Sequence, residues 1–168
     1  DGTFFVGLRD RIQVFAGPAD GQAPVLWESL GEGSRVTGLA ASDDAVWVAA
    51  GAYTPGAGRA DSFVLTNGVS LYGGFTAGMS DAAERDWEAN VTVLSGDVDG
   101  NGLLDTNNAY HVVTVAGDGA VLDGFTVTLG HANVNSTTDP NGRGGGLTLS
   151  GNFRLAVANC RFVGNSAA

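Results

Sequence analysis

The chain has 168 residues, enough for one domain of ordinary size, and its hydrophobic content of 43% is enough for a real core. Eighteen acidic residues stand against eight arginines and no lysine, which gives a net charge of −10. This charge argues against nucleic acid and anionic membranes as partners, because both are themselves negatively charged. No run of eighteen apolar residues is present, so we expect no membrane insertion. The single cysteine, Cys160, excludes an internal disulfide.

Glycine dominates the composition, with 27 glycines against four prolines and no collagen-like period. Together with clustered Asn and Asp, this predicts many short strands joined by tight turns. The acidic, lysine-free surface suits an exterior protein that meets divalent cations. It suits a protein from a salt-adapted or GC-rich genome equally well.

Residues 1–44 predict an N-terminal β segment that is distinct from the rest of the chain. Short alternating runs cover residues 3–6, 11–15, 24–27 and 36–40, with Asp-Gly turns between them. This rhythm resembles one blade of the NHL or quinoprotein-like propellers. A single blade cannot bury both of its faces. We therefore expect the segment to be a remnant blade or a cap on the structure that follows.

From residue 45 to residue 168 the pattern repeats as a short strand, a tight turn and a second strand. The second strands of three such units cover residues 69–76, 121–127 and 155–162. Self-similar units with insertions of variable length are typical of a solenoid, in which each unit completes the core of its neighbour. We expect Phe75, Phe125 and either Cys160 or Phe162 to form one internal column.

Several segments in this region carry a family likeness: VWVAAGAYTP (46–55), VSLYGGF (69–75), LDGFT (122–126) and NCRFVGNSA (159–167). They resemble right-handed parallel β-helix proteins of the pectate-lyase-like superfold, many of which are bacterial surface or secreted proteins. The resemblance implies an all-β chain, with residues 45–168 forming a β-helix, and a secreted, extracellular or cell-surface location. Such helices run for more coils, so we expect this one to be truncated at its C-terminus or to meet a partner on its open end.

Oxygen-bearing side chains recur at alternate positions in the stretch DVDGNGLLDTNN (97–108), with glycine at its sixth position. This spacing is typical of a calcium-binding loop. Asn108 replaces the usual glutamate at the twelfth position, which lowers the expected affinity and favours a structural Ca²⁺ site in calcium-rich surroundings. Leu104 is expected to anchor the loop to the core. The predicted ligands are Asp97, Asp99, Asn101, Leu103 (through its carbonyl), Asp105 and Asn108.

The same Asp, Asn and Gly residues also form turns without any metal, and this alternative stays open.

Two further elements are predicted, one before the loop and one after it. Residues 81–88 predict a short helix capped by Asp81, with Trp87 facing inward. Residues 129–144 predict a polar, glycine-rich loop, the place where ligand recognition is most expected.

The resemblance to this superfold implies two kinds of catalytic group, a basic residue in lyases and paired carboxylates in hydrolases. Lyases there use a basic residue, but no acids surround Arg143, Arg154 or Arg161 in the sequence, and Arg161 fits a surface position. Hydrolases use paired carboxylates, but Asp118 and Asp123 fit turn positions better. No Ser/His/Asp grouping or zinc signature is present, so a non-enzymatic protein is favoured.

These observations predict an extracellular, calcium-stabilised β-solenoid module with a structural, adhesive or self-assembly role at a cell surface. The expected partners are a glycan or other cell-surface ligand, or a second copy stacked on the open solenoid end. The alternative is a polysaccharide lyase, a glycoside hydrolase or a carbohydrate-binding module on the same fold.

Overall fold

A computed structural model describes residues 2–8, 11–17, 39–42, 45–76, 79, 81–136 and 139–168, with side chains from residue 45 onward. This part of the chain is all-β, as predicted. It contains strands and two single-turn 3-10 helices (Ala82–Glu84 and Pro140–Gly142) but no α-helix. None of these helices is long and apolar enough to cross a membrane.

The strands are numbered in chain order. The N-terminal strands are β1 Gly2–Leu8, β2 Arg11–Gly17 and β3 Leu39–Ser42. The next six are β4 Ala45–Ala49, β5 Gly51–Tyr53, β6 Phe63–Leu65, β7 Ser70–Phe75, β8 Thr92–Ser95 and β9 Val113–Val115. The last seven are β10 Ala120–Asp123, β11 Phe125–Thr128, β12 His131–Ala132, β13 Leu147–Leu149, β14 Leu155–Ala158, β15 Arg161–Val163 and β16 Ser166–Ala167.

From β4 onward the strands form short parallel sheets. Sheet 1 has the order β14-β10-β7-β4-β3, sheet 2 the order β15-β11-β8-β5, and sheet 3 the order β13-β9-β6. A small pair, β12-β16, is also parallel. The chain passes three times through sheets 1, 2 and 3 in that order, and a fourth time through sheet 1, sheet 2 and the small β12-β16 pair. We call each pass a layer: layer 1 is β4–β6, layer 2 is β7–β9, layer 3 is β10–β13 and layer 4 is β14–β16.

The core consists of apolar side chains that lie in register from one layer to the next. One column in sheet 1 runs through Val46, Leu71, Leu122 and Val157. A second column, in sheet 2, runs through Tyr53, Leu94, Val127 and Phe162. A third, in sheet 3, runs through Leu65, Val115 and Leu149. The members in layers 2 and 3 are mostly buried, as expected where strands alternate between a core face and a solvent face.

The predicted column containing both Phe75 and Phe125 is wrong. Phe125 belongs to β11 in sheet 2, with the Cys160 sulfur 3.5 Å from its backbone nitrogen. Phe75 ends β7 in sheet 1 and stacks on Trp47 with ring centroids 4.8 Å apart. Gly124 (φ +83°) lies between β10 and β11 and takes the chain from sheet 1 into sheet 2. Gly74 has a similar φ of +92° but lies inside β7, and Phe75 after it still pairs with Ala49 in sheet 1 across an irregularity in register.

The described part of the N-terminal segment is antiparallel. β1 and β2 form a hairpin, and β3 pairs with β4 at the edge of sheet 1. The strand predicted at residues 24–27 lies outside the described residues. Whether residues 1–44 are a cap or a remnant blade stays a prediction.

The helix predicted over residues 81–88 is shorter than expected. Asp81 does cap it, since its carboxylate accepts a 2.8 Å hydrogen bond from the Ala83 nitrogen. The helix ends after one 3-10 turn because Asp86 forms a second local turn, in which its carboxylate accepts from the Glu88 and Ala89 nitrogens.

Candidate functional site

The predicted calcium loop connects β8 in sheet 2 to β9 in sheet 3 and projects from layer 2. Its tight course depends on two glycines, Gly100 and Gly102, with φ of +72° and +73°. A side chain is disfavoured in this left-handed region. The Asp97 carboxylate folds over the turn and accepts hydrogen bonds from the backbone nitrogens of Asn101 (3.1 Å) and Gly102 (2.8 Å).

The Asn101 side chain joins the other two carboxylates of the loop. Its Nδ2 donates to Asp99 Oδ2 at 3.1 Å and to Asp105 Oδ2 at 2.9 Å, so both carboxylates face one nitrogen. Its Oδ1 accepts from the Leu103 nitrogen at 2.7 Å. Asn107 adds a further amide donor to Asp99 Oδ2 at 3.0 Å. The three predicted acidic ligands, Asp97, Asp99 and Asp105, therefore lie on one compact loop that is held by hydrogen bonds within itself.

The Asp105 carboxylate is stabilised in its charged form. A hydrogen bond from the Asn107 backbone and one from the Asn101 side chain lower its pKa, with smaller contributions from the charges of His131 and Arg59. The charged carboxylate is the form that binds a cation. The imidazole Nδ1 of His131 also lies 2.6 Å from the Asp105 carbonyl oxygen. The loop at residues 129–144 thus contacts the candidate site, as far as it is described.

Asn108, predicted as the twelfth-position ligand, is not brought to the carboxylates. Its side chain is fully buried, with Oδ1 accepting from the Asp105 nitrogen at 3.0 Å and Nδ2 donating to the Leu129 carbonyl at 2.8 Å. Its backbone carbonyl accepts from Arg59 Nε at 2.8 Å. Since Arg59 lies in layer 1 and Leu129 in layer 3, Asn108 ties the end of the loop to the layers on both sides.

The predicted anchor, Leu104, does not contact the core. It is 40% exposed, and the neighbouring Leu103 is 62% exposed. The outer half of the loop forms hydrogen bonds within itself, and neither leucine is among the described residues that pack against the core. The anchoring instead comes from Asn108 and from the buried Ala109, whose nitrogen donates to the Gly96 carbonyl at 2.8 Å.

The side-chain atoms of the loop that could bind a metal ion are all oxygens, the ligand type that Ca²⁺ prefers. Among the described residues, no group of three or more His, Cys, Asp or Glu side chains is arranged closely enough to hold a metal ion. The Asn101 NH₂ group, not its oxygen, is directed between Asp99 and Asp105. The carboxylates therefore converge on an amide nitrogen.

A second polar cluster was not predicted from the sequence. Arg85 Nη2 contacts Asp123 Oδ1 at 2.7 Å, Arg85 Nε donates to the Gly73 carbonyl at 2.6 Å, and Asn159 Nδ2 donates to the same Asp123 oxygen at 2.8 Å. Burial by itself raises the pKa of Asp123, but the hydrogen bonds from Arg85 and Asn159 outweigh it and keep the pKa below its ordinary value. The charged Asp123 side chain in layer 3 therefore links layer 2, through Arg85, to layer 4, through Asn159.

Of the other candidate catalytic groups, Asp118 also joins two layers. The Asp118 carboxylate accepts from the Arg154 backbone nitrogen at 2.7 Å, at the opposite end of β10 from Asp123, so the two carboxylates are not paired as a hydrolase needs. Arg161 is exposed, as predicted. His111 is partly buried, with Nδ1 3.2 Å from the Gly144 carbonyl oxygen.

Comparison with known proteins gives no match: no family model, no curated protein and no solved structure aligns significantly with the chain. The resemblance to parallel β-helix proteins stays a prediction. What the protein does must therefore be inferred from the stack of sheets and the geometry of the loop.

Proposed function

We propose that the protein is an extracellular, calcium-stabilised β-solenoid module with a structural or adhesive role at a cell surface. In this proposal residues 45–168 coil as a right-handed parallel β-helix, and residues 1–44 cap it through β3. The repeated order of the three sheets supports the coil, as do the shared columns of side chains. A parallel sheet also needs a crossover between successive strands, which the other two sheets provide in each layer.

The observation that carries the proposal is the position of the acidic loop. The loop at residues 97–108 carries three carboxylates, and Asn108 joins the C-terminal end of this loop to layers 1 and 3. Any free energy gained by binding a cation in the loop is therefore transmitted to the stack. This is what a structural metal does, because binding to the folded form alone stabilises that form.

The chemistry of the loop favours a hard divalent cation. Asp97, Asp99 and Asp105 are like charges in a small volume, and only amide and backbone donors lie between them. A cation between Asp99 and Asp105 would replace the Asn101 NH₂ group as their partner. Rotation of that amide by half a turn presents its oxygen to the cation, at the expense of the bond to Leu103.

A structural role also fits the use of the remaining polar groups. Asp118, Asp123 and Arg85 are all occupied by bonds that join one layer to another. A catalytic acid requires a raised pKa near the working pH, whereas the pKa of Asp123 is lowered.

Thermal unfolding in EDTA and in about 10 mM calcium tests the metal. At ten times the dissociation constant a single site stabilises the fold by about 1.4 kcal/mol. For a chain of this size that raises the Tm by about 3–6 °C.

The variant Asn101→Asp sharpens this test. It adds a fourth carboxylate, so we expect a lower Tm in EDTA and a larger calcium-induced rise than in the wild type. Glu88→Gln, which changes an exposed acid outside the loop, is the matched control and should keep the wild-type calcium response. Equal Tm values in EDTA and calcium for both the wild type and Asn101→Asp would remove the metal from the proposal.

A further inference from the structure

Three asparagines in the chain are each followed by glycine, in the pairs Asn67-Gly68, Asn101-Gly102 and Asn141-Gly142. Glycine has no Cβ to hinder its backbone nitrogen. That nitrogen can therefore attack the side-chain amide carbon of the preceding asparagine, which closes a succinimide ring and releases ammonia. The structure places different groups around the three pairs, and this distinguishes how readily each one reacts.

Two of the pairs are held by backbone carbonyls. The Gly68 nitrogen donates to the Asp118 carbonyl at 3.0 Å, and the Asn67 side chain accepts from the Asp118 nitrogen at 2.8 Å. Gly142 is buried, and its nitrogen donates to the Asp139 carbonyl at 3.3 Å. A backbone carbonyl is too weakly basic to take a proton from an amide, so neither glycine nitrogen donates its hydrogen bond to a base.

The third pair, Asn101-Gly102, is exposed, and its glycine nitrogen donates to a carboxylate. The Gly102 nitrogen lies 2.8 Å from Asp97 Oδ2. The N–H bond lies in the plane of the peptide group, whereas attack on the amide carbon uses a face of the nitrogen. Asp97 therefore holds the proton without blocking the attack. A carboxylate within hydrogen-bond reach of the proton is placed as a general base.

The Asn101 side chain is also placed for the reaction. Its Oδ1 accepts a 2.7 Å hydrogen bond from the Leu103 nitrogen, and a donor there stabilises the negative charge that develops on this oxygen during the attack. Its Nδ2 donates to both Asp99 and Asp105. These carboxylates favour the positive charge that Nδ2 acquires when it takes up a proton and leaves. Nucleophile, oxyanion and leaving group thus each face a suitable partner.

We infer that Asn101 is a self-modification site, which the loop converts into aspartate or isoaspartate without an enzyme. The Gly102 nitrogen forms a bond to Asn101 Cγ and gives its proton to Asp97. The Cγ–Nδ2 bond then breaks, and the nitrogen leaves as ammonia with that proton. Water opens the succinimide: attack at Cγ gives aspartate, and attack at the backbone carbonyl carbon gives isoaspartate. The net reaction consumes one water, releases one ammonia and adds one negative charge to the loop.

The modification changes what the loop presents to a cation. An NH₂ group lies between Asp99 and Asp105 before the reaction, and a carboxylate takes its place afterwards. The loop then carries four acids, so we expect it to bind calcium more tightly. This consequence rests on the calcium site proposed above, whereas the modification itself does not.

Peptide mapping by mass spectrometry tests the modification. The purified chain is incubated at neutral pH with EDTA in water enriched in heavy oxygen, so that the label marks each asparagine that has reacted. In the folded chain we expect Asn101 to be labelled at least about tenfold faster than Asn67 and Asn141. In urea the three should react at similar rates, because only the following glycine then matters.

The variant Asp97→Asn tests the part played by the loop. It keeps a hydrogen-bond acceptor beside the Gly102 nitrogen but removes the base. We expect labelling of Asn101 to slow at least about tenfold in the folded variant and to be unchanged in urea. Slow labelling of Asn67 and Asn141 reports that the variant is still folded. Glu88→Gln, which changes an exposed acid outside the loop, should keep the wild-type rates.

Equal labelling of the three asparagines in the folded wild type overturns the inference. It is also overturned if folded Asp97→Asn is labelled at Asn101 as fast as the wild type, because the loop then takes no part in the reaction. The Tm of the modified chain is measured in calcium and in EDTA. Selective labelling of Asn101 without a calcium-induced rise in Tm supports the modification and rejects only the calcium site.

Discussion

Asn108 shows how one side chain can decide whether a surface loop belongs to the core. It is fully buried, and its two amide atoms pair the Asp105 nitrogen and the Leu129 carbonyl. Asn108→Ala leaves both groups without these hydrogen bonds, and each unsatisfied buried group lowers the free energy of unfolding by about 1–3 kcal/mol. We expect urea denaturation to show a loss of about 2–5 kcal/mol. Asn152→Ala, at an exposed position, should change stability by less than about 0.5 kcal/mol. Similar losses in both variants would mean that Asn108 is no anchor.

Asp123 gives the fold a dependence on pH. Its carboxylate is 15% exposed, contacts Arg85 and has a pKa below the ordinary value of 3.8. A carboxyl group whose pKa is lower in the folded than in the unfolded state stabilises fully above its unfolded pKa. That contribution is lost as the pH falls through the folded pKa. We therefore expect Asp123→Asn to be less stable than the wild type at pH 7, with the difference shrinking below about pH 4. A difference that is constant from pH 7 to pH 3 in chemical denaturation would contradict this.

At the scale of the strand, the sequence predicted where strands occur along the chain better than it predicted where the chain bends from one sheet into the next. Alternation of apolar and polar residues located β7, β10 and β14, because a strand with one buried face imposes that period. It did not locate the bends. Residues 121–127 read as one strand, but Gly124 divides them between two sheets. A glycine with positive φ precedes a phenylalanine in both places, Gly74 (+92°) inside β7 and Gly124 (+83°) between β10 and β11, and only the pairing of the strands shows which glycine separates two sheets.

The loop at residues 97–108 shows the same limit. The spacing of its acids predicted a compact oxygen-lined turn, because local hydrogen bonds depend on near neighbours in the sequence. Its anchoring was predicted wrongly, on Leu104, since burial depends on Leu129 and Arg59 in other layers. The Arg85–Asp123 ion pair was not predicted at all, for the same reason: its partners lie 38 residues apart and meet only once the layers stack.

At the scale of the whole molecule, the stack is asymmetric in both charge and burial. The composition predicted an acidic protein, but it gave no sign that the acids avoid the last layer, because net charge carries no position. Only the order of the layers places Arg154 and Arg161 beside the layer-4 strands β14 and β15, where Val157 and Phe162 are 46% and 45% exposed.

This asymmetry predicts an order of local stability that hydrogen exchange can measure. Inner strands such as β9 and β11 have neighbours on both edges and bury their inward side chains almost completely. Among the described strands, β14 and β15 have one neighbour each and half-exposed inward side chains, so opening them exposes less new apolar surface and costs less free energy. We expect their amides to exchange much faster than those of β9 and β11, and those of β4, which is flanked by β3 and β7, to exchange slowly. Equal rates in β4 and β14 would contradict the asymmetry, because they would mean that the exposed columns at layer 4 are as stable as the covered ones at layer 1.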